Sequence, residues 1–330
     1  MSLARERVLV TGAGGFIGSH LCELLVARGA QVRAAVRYNS RNDWGHLADV
    51  DHATRDALDV RPLDIADPFA VAEAVKDCAV VFHLAALIGI PYSYVAPASY
   101  LEVNVRGTLN VLEAARRWKV RRVVHTSTSE VYGTARYTPI DEAHPLQGQS
   151  PYSASKIAAD QLAESYHRSF GLPVSILRPF NAYGPRQSAR AVIPTIIAQV
   201  VQGASEIRLG SLEPVRDFTY VTDTARAFVA VAESEKTIGV VCNAGHGKSI
   251  SMGELARKLL GLMKAEAKVE SDAGRVRPEH SEVFELRANN ERIQSLTSWR
   301  PEIGLEDGLG RAIEYVRAHP ERFRASEYTI

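Results

Sequence analysis

Only three cysteines occur in 330 residues, Cys22, Cys78 and Cys242. They are odd in number, far apart and without ligand-like cysteine or histidine spacing, which excludes a readable disulfide framework or zinc site. No metal is expected, and the ordinary behaviour of free cysteine places all three in the apolar interior. An excess of one charge is missing too. The 39 basic residues stand against 38 acidic ones, a formal net charge of +1, so nothing supplies the positive field that non-specific nucleic-acid binding uses. No apolar run approaches the roughly 20 residues of a membrane span, and no charged-then-apolar leader precedes the first strand. The expected location is the cytoplasm, with neither nucleic acid nor membrane as partner.

What is present reads as a folded chain of about two domain lengths. Apolar residues make up 46% and charged residues 23%, which are globular values. RVLVT at 7–11 predicts a short buried strand, followed by glycines and then a helix over 16–28 ended by Gly29. Further strands are predicted at 32–37, 78–84, 121–126 and 174–178, with helical patterns between several of them. Strands separated by helix-length segments make right-handed crossovers, hence an α/β fold with a doubly wound parallel sheet of Rossmann type. After Arg178 the pattern becomes turn-rich, with RPFNAYGPRQ and GSLEPVRDFTYV, and then a polar stretch at 271–280. Residues 218–231 again predict a strand and then a helix. Residues 1–180 and 217–245 are therefore expected in the dinucleotide domain, and 181–216 and 246–330 in a smaller interleaved substrate domain.

Gly12, Gly15 and Gly18 fall between the first strand and first helix, where glycine allows a tight turn, close approach of a pyrophosphate and close helix packing. The helix start, with Phe16 and Ile17, then offers free amides and the positive dipole end. Asp64, next to Ile65, is placed to accept from an adenine amino group at a strand end. Leu84, Ala85 and Ala86 end the next strand, and the small alanines let a flat ring lie close to the backbone. His83 before them reads as structural. Tyr152 and Lys156 are four apart in SPYSASKIAADQ, so a helix puts them on one face, where an ammonium favours the ionised phenol. That makes tyrosine a candidate general base. Thr128, Ser129 and Glu130 follow a predicted strand at the carboxyl edge of the sheet, where open parallel sheets place their sites.

Hydroxyl, tyrosine and lysine after a glycine-rich turn resemble the short-chain dehydrogenase/reductase constellation. Over essentially its full length the chain resembles the extended branch of that superfamily: nucleotide-sugar epimerases, dehydratases and decarboxylases. RPFNAYGPRQ, RDFTYVTD and WRPE all look like that branch. TSTSEVYG, with Glu130, resembles the Thr-x-Glu arrangement of 4,6-dehydratases, although glucuronate decarboxylases show a similar stretch. VRYNSRNDWGHL, residues 36–47, is similar to N-acetylglucosamine dehydratases of legionaminic-acid biosynthesis, and the region around Arg37 to GDP-mannose dehydratases.

The resemblance implies loss of water from a nucleotide sugar, with an N-acetylglucosamine nucleotide preferred and an epimerase or decarboxylase as the alternative. A non-catalytic dinucleotide-binding sensor is the more distant alternative; such proteins typically lose the tyrosine or lysine. It implies that Tyr152 takes the 4-hydroxyl proton, Thr128 holds the same oxygen, and Glu130 removes the proton from carbon 5. Ser129 stands where the usual pattern has aspartate, so the acid for the leaving hydroxyl falls to Glu130 or a water. Thr128, Asn181, Val192, Arg216 and Arg277 are the implied substrate-binding set. The segment Arg37, Asn39, Ser40 and Arg41 carries no acid where NAD-preferring folds place one; guanidinium groups suit a 2′-phosphate, so NADP is expected over NAD. Helices predicted at 100–118 and 152–170 carry apolar residues beyond what one sheet face needs, and imply a homodimer.

Overall fold

The computed structural model describes residues 2–323. Its strands are β1 (Arg7–Thr11), β2 (Gln31–Val36), β3 (Asp59–Pro62), β4 (Val80–His83), β5 (Arg122–Thr126), β6 (Val174–Pro179), β7 (Asn181–Tyr183), β8 (Glu206–Leu209), β9 (Val215–Tyr220), β10 (Val241–Ala244), β11 (Ser249–Ser251), β12 (Lys268–Ser271) and β13 (Glu285–Leu286). Seven form one sheet in the order β10-β6-β5-β4-β1-β2-β3, and every neighbouring pair is parallel. The chain winds outward from β1 in one direction and then restarts at β4 in the other. The crevice beyond the carboxyl ends of β1 and β4 is therefore the topological switch point, where doubly wound sheets bind ligands.

Both faces of this sheet are covered, which is why its strands are nearly continuous apolar runs. The helices Phe16–Ala27 and Val221–Glu233 contribute Leu21, Leu25, Phe228 and Val231 to the core on one face. On the other face Val71, Val111, Leu112 and Ala163 close the core from the helices Pro68–Val75, Gly107–Arg117 and Pro151–Phe170. A separate apolar core, with Ile196, Ile197, Leu255, Leu259, Leu309 and Ile313, lies among the helices Val192–Val201, Met252–Met263 and Leu305–Ala318. Cys22, Cys78 and Cys242 are all buried and free.

Two local expectations are revised. The strand and helix at 218–231 do not travel together: β9 pairs with β7, β11 and β13 in a small sheet, whereas the helix Val221–Glu233 packs on β5, β6 and the first helix. The chain changes layers at the Tyr220 to Val221 junction, because β9 finds its hydrogen-bond partners among the short strands while the helix buries its apolar face on the large sheet. Nor is 100–118 one α-helix. Pro97–Tyr100 and Gly107–Arg117 flank a π-helical segment, Leu101–Arg106. Within it the Asn104 side chain accepts from the Leu87 amide and donates to the Leu87 carbonyl and Ser155 Oγ; such bulges recur near functional sites.

Candidate active site

At the switch point β1 ends in Thr11, whose Oγ1 accepts from the Leu84 and Ala85 amides after β4. The two strand ends are thus locked together. Gly12 has φ +71°, and a Cβ there would lie 2.8 Å from the Ala85 amide nitrogen, so only glycine fits. Gly15 caps the helix Phe16–Ala27 without any side-chain hydrogen bond, which leaves the first amides facing the crevice. An uncapped helix start above a glycine turn fits a dinucleotide pyrophosphate. The Ala85 backbone lies directly against the turn, with Ala86 next along the chain. His83 bridges Thr11 and Thr108 through its two ring nitrogens at 2.9 and 3.0 Å, the structural place expected for it.

The remaining cofactor candidates divide. Asp64 is exposed beyond β3, with Oδ1 accepting from the Ala66 amide. Ile65 is buried, and a Cβ on Gly107 would lie 2.7 Å from its Cδ1. Arg37, Ser40 and Arg41 are exposed after β2, and among the described residues no ion pair holds either guanidinium. Asn39 is different: its amide donates to the Arg37 and Asp43 carbonyls and accepts from the Arg41 and Asp43 amides. In this structure its side chain shapes the loop that carries Arg37 and Arg41.

On the other side of the crevice, β5 runs into a 3-10 turn, Ser129–Tyr132, started by Thr128, whose Oγ1 accepts from the Glu130 amide. Tyr152 approaches from the helix Pro151–Phe170, which begins with a Ser150/Ser153 capping box. The Tyr152 side chain is 7% exposed, and its ring meets that of Tyr100 edge-on at 6.2 Å. Burial pushes the phenol above its ordinary range; the hydrogen-bonding Thr128 hydroxyl works against this, and the Glu130 charge adds to it. Thr128, Glu130 and Tyr152 thus share one site.

Lys156 lies one turn beyond Tyr152, is buried, and donates to the Thr126 carbonyl at 2.6 Å. Burial brings its pKa from 10.5 down to about 8, with Asp160 opposing. In this arrangement the ammonium donates to a backbone carbonyl, and burial is the largest influence on the Tyr152 phenol. Asp160 and Arg178 were missed in the sequence. They form a buried ion pair at 3.0 Å, and the only signal for Asp160 is its spacing of four from Lys156.

The substrate candidates come from four segments. Asn181 begins β7 with a buried Oδ1 that has no hydrogen-bond partner among the described residues, which leaves an acceptor unused. Val192 opens the helix Val192–Val201, whose cap, Ala191, has no side-chain hydrogen bond. Arg216 on β9 is 6% exposed, pairs with Glu282 at 3.2 Å, and feels the charges of Glu130 and Arg277. Arg277 reaches the same Glu282 at 3.7 Å, so Glu282, which no periodicity marks, joins the two arginines. Apart from this, a cavity of about 380 Å³ lies between His246, Lys248, Lys258 and Leu305, away from the tyrosine. The described residues contain no group of three or more potential metal ligands, and no helix among them is long and apolar enough to cross a membrane.

The family described as GDP-mannose 4,6-dehydratase matches residues 9–312. A putative UDP-glucose 4-epimerase of Methanocaldococcus jannaschii is 32% identical, over 94% of this chain and 98% of its own. The UDP-N-acetyl-alpha-D-glucosaminuronate decarboxylase of Bacillus cytotoxicus is 32% identical over 95% and 98%. Among solved structures, a double mutant of a dTDP-glucose 4,6-dehydratase from Streptomyces venezuelae with NAD bound superposes with a TM-score of 0.85 at 30% identity, covering 96% of this chain and 98% of the other.

Proposed function

The chain belongs to the GDP-mannose 4,6-dehydratase family within the extended short-chain dehydrogenases/reductases, and on that premise we propose that it is a nucleotide-sugar 4,6-dehydratase. At the coarser level it is an NAD(P)-dependent enzyme of nucleotide-sugar dehydratase, epimerase or decarboxylase chemistry. The finer reading is conversion of a nucleotide-linked hexose, with N-acetylglucosamine as the first candidate, to its 4-keto-6-deoxy form.

One observation carries it: a carboxylate, Glu130, stands in the turn that also brings Thr128 to the Tyr152 phenol. A 4-epimerase needs no base at carbon 5, whereas elimination of the 6-hydroxyl does. A dinucleotide held at the Gly12 turn would supply the redox chemistry, accepting the hydride from carbon 4 and returning it to carbon 6 after the elimination. Tyr152 takes the proton of the 4-hydroxyl and Thr128 hydrogen-bonds the same oxygen. Once carbon 4 is a ketone, the carbon 5 proton is acidic, and Glu130 removes it. Ser129 is a poor acid, so the leaving hydroxyl takes its proton from Glu130 or from water. Arg216, Arg277 and the amides at Val192 hold the anionic nucleotide, with Asn181 accepting from the substrate.

The cofactor proposal is NADP over NAD, supported by the missing carboxylate after β2 and by Arg37 and Arg41, which no ion pair holds among the described residues. The NAD in the solved relative stands on the other side. Titration of cofactor-free protein decides: tighter NAD binding, or NADP affinity unchanged in Arg37→Ala, rejects the preference. For the reaction, UDP- and GDP-linked glucose, mannose and N-acetylglucosamine are each incubated with the protein, and mass spectrometry reads loss of one water. A product of unchanged mass means epimerase, and carbon dioxide from a nucleotide glucuronate means decarboxylase.

A further inference from the structure

The turn after β7 is fastened to the helix Phe16–Ala27, and the reaction above gives that fastening no part. Arg186, within RPFNAYGPRQ, has φ +68° although it is not glycine. A residue with a Cβ keeps that left-handed backbone only where its surroundings hold it there. What holds it is Glu23, in the middle of the helix. Arg186 Nη1 donates to Glu23 Oε2 at 2.6 Å, and Nη2 donates to Oε1 at 2.9 Å. One nitrogen for each oxygen is the forked pairing that fixes direction as well as distance. Nη1 also reaches Ser19 Oγ at 3.4 Å, and His20 Nε2 donates to the Pro185 carbonyl at 3.1 Å. Ser19, His20 and Glu23 share one helix face, so that whole face is turned to Pro185 and Arg186.

The turn is closed on its other sides too. Gln187 Nε2 donates to the Ala182 carbonyl on β7 at 2.9 Å. Thr195 Oγ1, in the first turn of the helix Val192–Val201, lies 2.9 and 2.8 Å from the Ala189 and Ala191 carbonyls that it donates to. Asn181 and Val192, both proposed to hold the substrate, therefore stand at the two ends of one short strap. Its middle is bolted to the helix whose start fits the dinucleotide pyrophosphate. The strap thus takes its place from the dinucleotide's own helix as well as from the small sheet, and the separation of two bound reactants is what their reaction tolerates least losing.

We propose that Arg186 is a positioning residue: its pairing with Glu23 sets the strap from Asn181 to Val192 at a fixed distance from the dinucleotide, where the diphosphate of a nucleotide sugar is held. This rests on the reading of Asn181, Val192 and Arg216 as substrate-holding residues, and its test reads binding without turnover.

UDP, GDP and dTDP are titrated by calorimetry into the full-length protein carrying its dinucleotide. In Glu23→Gln the affinity for the nucleoside diphosphate bound best falls about tenfold. It falls as far in Arg186→Lys, which keeps the charge and loses the fork. The double variant falls no further, because both changes break one link. Affinity for NAD and NADP, titrated into cofactor-free protein, stays unchanged in all three, a split that general loosening would not produce. Nucleotide affinity unchanged in Glu23→Gln overturns the proposal, as does an equal fall in cofactor affinity, or losses that add in the double variant. Glu23 is 29% exposed, so Glu23→Gln decides by itself should Arg186→Lys not fold. Arg216→Gln is run beside them: a nucleotide affinity it leaves untouched counts against the substrate-holding set, whereas one untouched by Glu23→Gln counts against the strap.

Discussion

At the scale of single residues, the site separates the two proton transfers of the proposed reaction onto different groups. Glu130→Gln keeps the shape of the turn and removes only the carboxylate. Cofactor binding is expected to persist, oxidation at carbon 4 to continue, and net dehydration to fall by about 10²- to 10⁴-fold; mass spectrometry with single-turnover absorbance checks this, and undiminished dehydration rejects the role. Tyr152→Phe should instead stop the first hydride transfer, so that no reduced cofactor accumulates. The pH dependence follows from Lys156. Its pKa in the folded chain, about 8, lies below the ordinary 10.5, so the ammonium is present below pH 8 and lost above it. A rate that needs the ammonium therefore declines as pH rises through about 8, and kcat/KM against pH reads this limb. Lys156→Arg, which keeps its charge, should abolish the limb in whatever activity remains.

At the scale of elements, function depends on two strand ends being joined at the backbone. Thr11 receives two amides from beyond β4, and Gly12 leaves no room for a side chain. Gly12→Ala therefore meets two penalties, a left-handed backbone and a contact with Ala85 that only backbone movement relieves. A loss of about 1–3 kcal/mol of stability, with weakened dinucleotide binding, is expected from denaturant titration and cofactor titration. Unaltered cofactor affinity would show that the turn does not approach the pyrophosphate. The second arm is a helix and a turn rather than two strands. Tyr152 and Lys156 come from one helix face and Thr128 and Glu130 from the 3-10 turn, and the Arg178 link through Tyr132 ties that turn to the helix.

At the scale of the whole molecule, the π-helical segment and the two helices beside it leave Leu101, Leu109 and Phe170 exposed at 57%, 36% and 54%. Apolar residues on two neighbouring helices suit a four-helix interface between two copies, so the expected state is a homodimer. Light scattering should give twice 36.1 kDa across micromolar concentrations, and a mass of one chain would reject the expectation. β7 follows β6 of the large sheet directly and pairs with β9, which leads into the helix packed on β5 and β6, so Arg216 on β9 and Asn181 on β7, the proposed substrate ligands, are placed by the small sheet.

The turn at Gly12, the helix after it and the Tyr152–Lys156 pair were legible because each is local: a strand run, glycines at close spacing, and residues one helical turn apart. The sequence by itself also determined the parallel sheet, since strands separated by helix-length segments admit few other arrangements. The short strands β7, β11 and β13, of three, three and two residues, are too brief for periodicity and exist through pairing with β9. Asn39 reads in the sequence as part of the cofactor segment, and only the folded chain shows its amide bonded to the loop backbone. The charge state around Lys156 belonged wholly to the tertiary structure. Asp160 and Arg178 meet across 18 positions, and Arg216, Arg277 and Glu282 converge from separate segments. Burial, which decides the titration of Tyr152 and Lys156, depends on what packs around them, and spacing along the chain carries no measure of it.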